Sequence, residues 1–227
     1  MKVEESTWIS EHIFKYAKPG DKLLNIGSST LDFRSIIQPH IEQNIFSKLK
    51  ERGIATIHTD IQNAKGVDLV GNLLDEEFIK VLEKKKFDFI LCSNLLEHLE
   101  EINPICYIIE RILKKKGFAI ITVPYNYPYH LDPIDNMFRP NVKELSNKFT
   151  NLELVQGEIL KASSYNSKLS KLENNYFQKL FNNPKMLGLI FFRMLLPFYK
   201  YNIWKKTMFG VKRLFRPFSV TCVVLKK

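Results

Sequence analysis

Cysteine is scarce, with 3 in 227 residues. Cys92, Cys106 and Cys222 lie far apart, and no Cys/His spacing along the chain matches a zinc site, so no metal is expected. An odd number of separated thiols points to buried, reduced cysteines. No run reaches the roughly 20 apolar residues that a bilayer span requires. The longest apolar stretch, residues 185–199, is broken by Arg193 and Pro197. The opening MKVEESTWISEHIF places acids where a signal peptide carries a positive region followed by an apolar run, so a cytoplasmic location is expected. No G-x-G-x-x-G follows the first apolar run, which argues against a nicotinamide dinucleotide site. An Asn/Asp-Pro-Pro-aromatic run and a recognition module are also missing, so nucleic acid is not the expected partner.

What is present is enough apolar residue, 45% of the chain against 26% charged, for one folded domain with a sizeable core. The net charge of +10 is unevenly placed. Residues 1–150 carry 20 lysines and arginines against 21 acids, whereas residues 151–227 carry 14 against 3. A segregated basic patch suits an anionic substrate or a membrane surface.

Residues 5–17 read as a short helix ended by Pro19-Gly20-Asp21. Lys22–Gly27 is a first buried strand closed by a glycine turn, and residues 33–52 are helical at their ends with Pro39 interrupting. Ile54–Asp60 and Val67–Asn72 read as strands, with a charged helix over 75–86. Phe87–Ser93 is apolar enough for a strand buried on both faces. A helix started by Pro104 carries Ile105, Ile108, Ile109, Ile112 and Leu113 at helical spacing, and Lys114–Gly117 reads as its cationic last turn and stop. Phe118–Val123, Leu152–Leu160 and Ser219–Leu225 complete seven strands. Their alternation with helices predicts a doubly wound, mostly parallel α/β sheet. On this reading residues 1–160 and 219–227 form the α/β domain, and residues 161–218 are a helical insertion before the last strand. Within it Tyr201, Trp204, Met208, Val211 and Phe215 recur at spacings of three and four. Residues 185–216 thus suit a packed subdomain or homodimer contact with a solvated basic face, or else an interfacial helix at the inner face of a membrane.

Ligands of an open parallel sheet bind beyond the carboxyl ends of the strands, and polar groups gather there. Gly27-Ser28-Ser29-Thr30 follows strand one, Asp60 ends strand two, and Asn72 follows strand three. Each also reads as an ordinary turn or cap residue. Ser93, Asn94, Leu95, Leu96, Glu97 and His98 follow strand four. Adjacent helical residues do not face one another, so Glu97 and His98 are not read as a dyad. After strand five, Tyr125, Tyr127, Tyr129, His130, Asp132, Asp135 and Arg139 supply aromatic walls and groups that fix hydroxyls or anions. An imidazole titrates near neutral pH, so His130 suits a general base, or a loop histidine holding a carbonyl.

The order of these segments resembles the class I S-adenosylmethionine-dependent methyltransferases of the type 11 domain group. The likeness runs over about residues 20–160, with Ser219–Lys227 as the last strand. It rests on LLNIGSST, on FDFILCSNLLEHLEEI with ILKKKGFAIITVPY, and on PYNYPYHLDPIDNMFRPNVKEL. The last is similar to tails of members linked to polysaccharide and natural-product modification. The resemblance implies a Rossmann-like fold and S-adenosylmethionine as cofactor. Asn25, Gly27, Ser28 and Ser29 would meet its methionine portion, Asp60 the ribose and Asn72 the adenine, with Ser93, Asn94 and Leu95 on the other side. The family pattern has an acid where Asn25 stands and glycines where Ser29 and Leu31 stand. Asn25 brings no charge toward the cofactor's ammonium, and Leu31 narrows the approach.

These residues predict methyl transfer to a small molecule, with His130 deprotonating a sugar or phenolic hydroxyl and Asp132 or Asp135 orienting it. Glu97, His98, Tyr125, Tyr127, Tyr129 and Arg139 would bind a substrate of anionic or lipid-linked type. Nitrogen or carbon acceptors need no base and stay open, as does a scaffold role for a methyltransferase fold that has lost its cofactor.

Overall fold

The computed structural model describes residues 1–130, 134–162 and 218–227, together with Lys185, Gly188 and Phe192. Seven strands run in chain order as β1 (Lys22–Ile26), β2 (Ala55–Asp60), β3 (Leu69–Val70), β4 (Phe87–Ser93), β5 (Leu113–Asn126), β6 (Glu153–Lys161) and β7 (Ser219–Lys226). They form one sheet in the order β3-β2-β1-β4-β5-β7-β6. The pairs β1–β2, β1–β4, β2–β3 and β4–β5 are parallel, and β7 runs antiparallel to β5. The order reverses at β1 and β4, so the loops after these strands flank the crevice where such sheets take ligands.

Both faces of the sheet are covered. On one side α2 (Glu76–Lys85) and α3 (Ile102–Ile112) lay Ile79, Leu82, Ile105, Ile109 and Ile112 on Leu24, Ile90 and Ile121. On the other, α1 (Val3–Tyr16) and the helical stretch up to Glu51 place Trp8, Ile9, Ile13, Ile45 and Leu49 on Leu23, Phe89, Leu91 and Ile120. Apolar residues at 105, 108, 109 and 112 form one stripe, and full burial of each such side chain contributes about 1.5–3 kcal/mol. Asp75 starts α2 by accepting from the Glu77 N–H at 3.0 Å. Asn141 and Glu144 close a reciprocal cap on α4 (Val142–Ser146).

Several sequence expectations change. The helix expected to run through Lys114–Gly117 ends at Ile112, because Leu113 already pairs with Phe87. The register then jumps to Phe89 opposite Phe118, which turns Lys114–Gly117 into a bulge in β5. Pro104 sits inside the first turn of α3 rather than at its start. The third strand shrinks to Leu69–Val70, since the Asp68 carboxylate takes the His58 N–H at 2.7 Å that a longer strand would pair. Around Pro39 the helical stretch widens into π-type turns at Phe33–Ile37 and Glu42–Phe46.

The chain divides into two compact units, one of Met1–Leu160 with Ser219–Lys227 and the other of Lys161–Phe218. The interfacial or packed helix expected at 185–216 lies, but for three positions, outside the described residues. No helix among the described residues is long and apolar enough to cross a membrane.

Candidate active site

The loop after β1 is built by its neighbours as much as by its own residues. Gly27 has φ +65°, and a Cβ there would stand 2.9 Å from Cδ1 of Leu95, so the bare Cα lets the loop after β4 close on the loop after β1. Ser28 is buried and donates its N–H to the Thr59 carbonyl at 3.0 Å. Ser29 takes φ 55°, and its N–H donates to Asp60 Oδ2 at 2.8 Å. Asp60 Oδ1 accepts from the Gln62 N–H at 3.1 Å, so each carboxylate oxygen carries one backbone donor and retains acceptor capacity. Asn72 Oδ1 accepts from Leu74 N–H at 2.9 Å in an Asx turn, and Gly71 ties this turn to β2 through the Asp60 carbonyl at 3.1 Å.

Asn25 is placed differently. It is buried in β1 opposite His58, and Nδ2 donates to His58 Nδ1 at 3.0 Å. Burial pushes the His58 imidazole down to about 4, and Arg34 adds repulsion. A neutral ring accepts from the amide, so Asn25 commits one of its two N–H donors to β2.

At the end of β4, Asn94 has φ 50°; its N–H donates to the Thr122 carbonyl at 2.9 Å. Its Nδ2 donates to Glu5 Oε1 at 2.7 Å, and the Thr122 hydroxyl donates to the same oxygen at 2.6 Å. Glu5 of α1, 1% exposed, therefore joins the ends of β4 and β5. The next turn carries Glu97, whose carboxyl is 1% exposed with neither oxygen hydrogen-bonded among the described residues. Burial pushes it up to about 7, and the charge of Glu5 acts in the same direction. His98 Nε2 lies 3.7 Å from Glu97 Oε1, too far for a hydrogen bond, while Nδ1 meets the Ile134 carbonyl at 2.5 Å.

After β5 the chain brings His130, Asp135 and Arg139 together. Asp135 Oδ2 lies 3.2 Å from His130 Nδ1, accepts the His130 N–H at 3.0 Å, and accepts Arg139 Nη2 at 2.7 Å. Burial of Asp135 would raise its carboxyl, but the His130 N–H, Arg139 and the Met137 N–H outweigh it and hold it at about 2. The anion is thus permanent at physiological pH. His130 Nδ1 also meets the Pro128 carbonyl at 3.3 Å, the contact of a loop histidine, while Nε2 has no partner among the described residues and the ring meets His98 and Tyr127 edge-on at 5.1 and 5.0 Å. Arg139 spends its donors within the loop, on Asp135, Tyr127 O and Phe138 O. Tyr125 and Tyr129 stand exposed. Asp132 lies outside the described residues.

Sequence reading missed four contributors. Glu5 acts from the opposite end of the chain. Asn136 clamps the turn after β4 by donating Nδ2 to Leu96 O and Leu99 O at 2.9 and 2.7 Å. Buried Arg34 donates Nη1 to Ser28 O and Ser29 O at 2.9 and 2.8 Å, and Nη2 to Gly66 O at 2.8 Å. Gly66 is the fourth: a Cβ there would stand 2.5 Å from the Leu31 Cβ. Only the charge of Arg34, in an otherwise apolar helical pattern, signals any of this locally.

Residues 45–121 match the model of a methyltransferase-domain family. Among solved structures, a SAM-dependent methyltransferase from Archaeoglobus fulgidus matches with a TM-score of 0.55 and 17% identity, over 98% of this chain and 94% of that one. The [4+2]-cyclase SpnF matches with a TM-score of 0.55 and 11% identity, over 97% and 80%. Coclaurine N-methyltransferase bound to N-methylheliamine and SAH matches with a TM-score of 0.53 and 14% identity, over 99% and 71%. No curated protein matches the chain. Identities this low carry the fold, and one fold hosts different reactions.

Proposed function

We propose, from the premise that this chain carries a class I S-adenosylmethionine-dependent methyltransferase domain, that it methylates a hydroxyl of a small molecule such as a sugar. The observation that carries this reading is the His130–Asp135 pair, Nδ1 to Oδ2 at 3.2 Å, with Nε2 left without a partner among the described residues.

The residues after β1, β2 and β4 suit the cofactor. The Ser29 N–H and Asp60 are locked together beside Gly27, and the Thr30 N–H has no partner among the described residues. Gly27, Ser28, Ser29 and Thr30 would hold the amino-acid end, Asp60 the ribose, Asn72 the adenine edge, and Asn94 and Leu95 the opposite wall. When bound, the cofactor supplies a methyl group activated on a sulfonium. What the protein adds is alignment and a base. The Asp135 carboxylate and the Pro128 carbonyl, 3.2 and 3.3 Å from Nδ1, both accept and so favour the tautomer with its proton on Nδ1, which leaves the Nε2 lone pair to take the acceptor hydroxyl's proton as oxygen forms its bond to carbon and the carbon–sulfur bond breaks. Arg139 keeps Asp135 in place. A sugar hydroxyl needs such help, whereas an amine acceptor does not.

Methyl transfer from labelled cofactor to a panel of sugars and phenols tests this. His130→Ala should lower kcat by about 10²–10⁴-fold, the usual contribution of a positioned base, with cofactor affinity unchanged. Full activity in that variant removes the general-base role, and absence of transfer to any hydroxyl by a wild-type chain that binds the cofactor points to a nitrogen or carbon acceptor. One observation favours a scaffold instead: Asn25 is bound to His58 and brings no charge to the loop. Calorimetry decides, because a scaffold shows no saturable binding at millimolar S-adenosylmethionine.

A further inference from the structure

We infer that Arg34 and Gly66 are positioning residues for the cofactor: together they hold the loop 27–31 in a ligand-ready shape that its own side chains oppose. The inference rests on the reading of that loop as the cofactor's seat.

Two residues of the loop work against it. Ser29 sits at φ 55°, in the left-handed region that glycine enters freely and a residue with a Cβ does not. Leu31 brings a branched side chain to a place where the loop after β2 folds back, its N–H donating to Lys65 O at 2.8 Å.

Each has a remedy elsewhere in the fold. Arg34 follows the loop by one helical turn and is 2% exposed. Its guanidinium gathers the carbonyls of Ser28, Ser29 and Gly66 at 2.8–2.9 Å. Charge-assisted bonds of this kind are the strong ones, and they turn two successive carbonyls inward, the orientation that the left-handed turn at Ser29 requires. Asp60 pins the same turn from outside through the Ser29 N–H. Gly66, at φ +86°, supplies the space: a Cβ there would stand 2.5 Å from the Leu31 Cβ and 2.9 Å from Arg34 Nη2. The glycine that would relieve Leu31 thus stands across from it, on the neighbouring loop. The three residues form one device, in which Arg34 bridges both loops and Gly66 admits both Leu31 and Arg34.

If Arg34 acts through Ser29, removing the need for it should remove its effect. Titration calorimetry with S-adenosylmethionine is run on the full chain as wild type, Arg34→Lys, Ser29→Gly and the double variant, with thermal midpoints measured alongside. Arg34→Lys keeps the charge but replaces the rigid fork, whose Nη1 serves the loop after β1 and whose Nη2 serves Gly66, with a single nitrogen on a flexible stem. It should weaken cofactor binding about 10-fold, the equivalent of about one charge-assisted hydrogen bond. Ser29→Gly in the Arg34→Lys background should return the Kd to within about 2-fold of wild type while the lowered thermal midpoint stays low. Unchanged affinity in Arg34→Lys overturns the inference and leaves the methyl-transfer reading intact. Failure of Ser29→Gly to restore affinity also overturns it, since Arg34 would then serve only global stability. A wild-type chain that binds no cofactor overturns the underlying reading instead.

Discussion

Glu97 should make the protein less stable as pH rises from 4.5 to about 7, and glutamine in its place should abolish that dependence. The side chain is 1% exposed and its two oxygens lack hydrogen bonds among the described residues. Burial lifts the carboxyl from an ordinary 4.5 to about 7. Below about pH 4.5 both the native and unfolded chains hold the proton, and no effect arises. Between 4.5 and 7 the unfolded chain releases it while the native state keeps it, so stability falls as pH rises. Above 7 both states are ionised and the loss is complete. At about 1.4 kcal/mol per pH unit, this interval corresponds to roughly 3 kcal/mol. Glutamine also buries polar atoms without partners, but that cost of about 1–3 kcal/mol does not vary with pH. Urea unfolding followed by circular dichroism, for wild type and Glu97→Gln at intervals from pH 4 to 8, isolates the carboxyl. The difference in unfolding free energy should grow by roughly 3 kcal/mol in favour of the variant across this range. A difference that stays flat to within about 1 kcal/mol refutes the reasoning, because Glu97 would then ionise in the native state as easily as in the unfolded chain.

Gly27→Ala meets both a φ of +65° and Leu95 at 2.9 Å. It should cost about 1–3 kcal/mol by thermal unfolding and weaken cofactor binding in calorimetry. Lys227 donates Nζ to Glu110 O, Arg111 O and Leu113 O at 2.5, 3.3 and 2.6 Å, closing the carbonyl end of α3. Lys227→Met should destabilise by about 1–2 kcal/mol, measured by urea midpoint. Ile109→Ala empties a fully buried position between α3 and the sheet and should cost about 2–5 kcal/mol in the same assay. The basic stretch 185–216 predicts co-sedimentation with vesicles rich in anionic lipid that declines with salt; equal recovery with and without vesicles rules out the surface role.

The strands at the centre of the sheet were legible because β4 and β5 are buried on both faces and read as continuous apolar runs. At the edge, β3 was overestimated: Val67–Asn72 has the composition of a strand, yet Asp68 substitutes a side chain for part of the ladder. The end of α3 was misread for another reason. Lys114–Gly117 fits a helix stop, but pairing of Leu113 with Phe87 starts the strand first, and tertiary pairing outweighs local preference. In the site, His130 and its carboxylates were visible as a cluster, whereas the partnership with Asp135 depends on a turn that no spacing rule specifies. Glu5 was out of reach altogether, and Arg34 showed only as a charge in an apolar helical pattern, with no sign of its partners. Glu5 bonds to residues 89 and 117 positions away, and Arg34 to one 32 away. Interactions of that range leave no periodic trace in a sequence.

The order β5-β7-β6 also sets a timetable. When the ribosome has finished β6, the strand that belongs between it and β5 has not been made. Synthesis of residues 162–218 intervenes, and at about 5–20 residues per second it lasts roughly 3–11 s. During that interval β5 shows an open, strongly apolar edge, the kind of surface on which nascent chains pair with one another. Slower codons across residues 162–218 would therefore lengthen this window and lower the yield of folded chain without changing a single native contact.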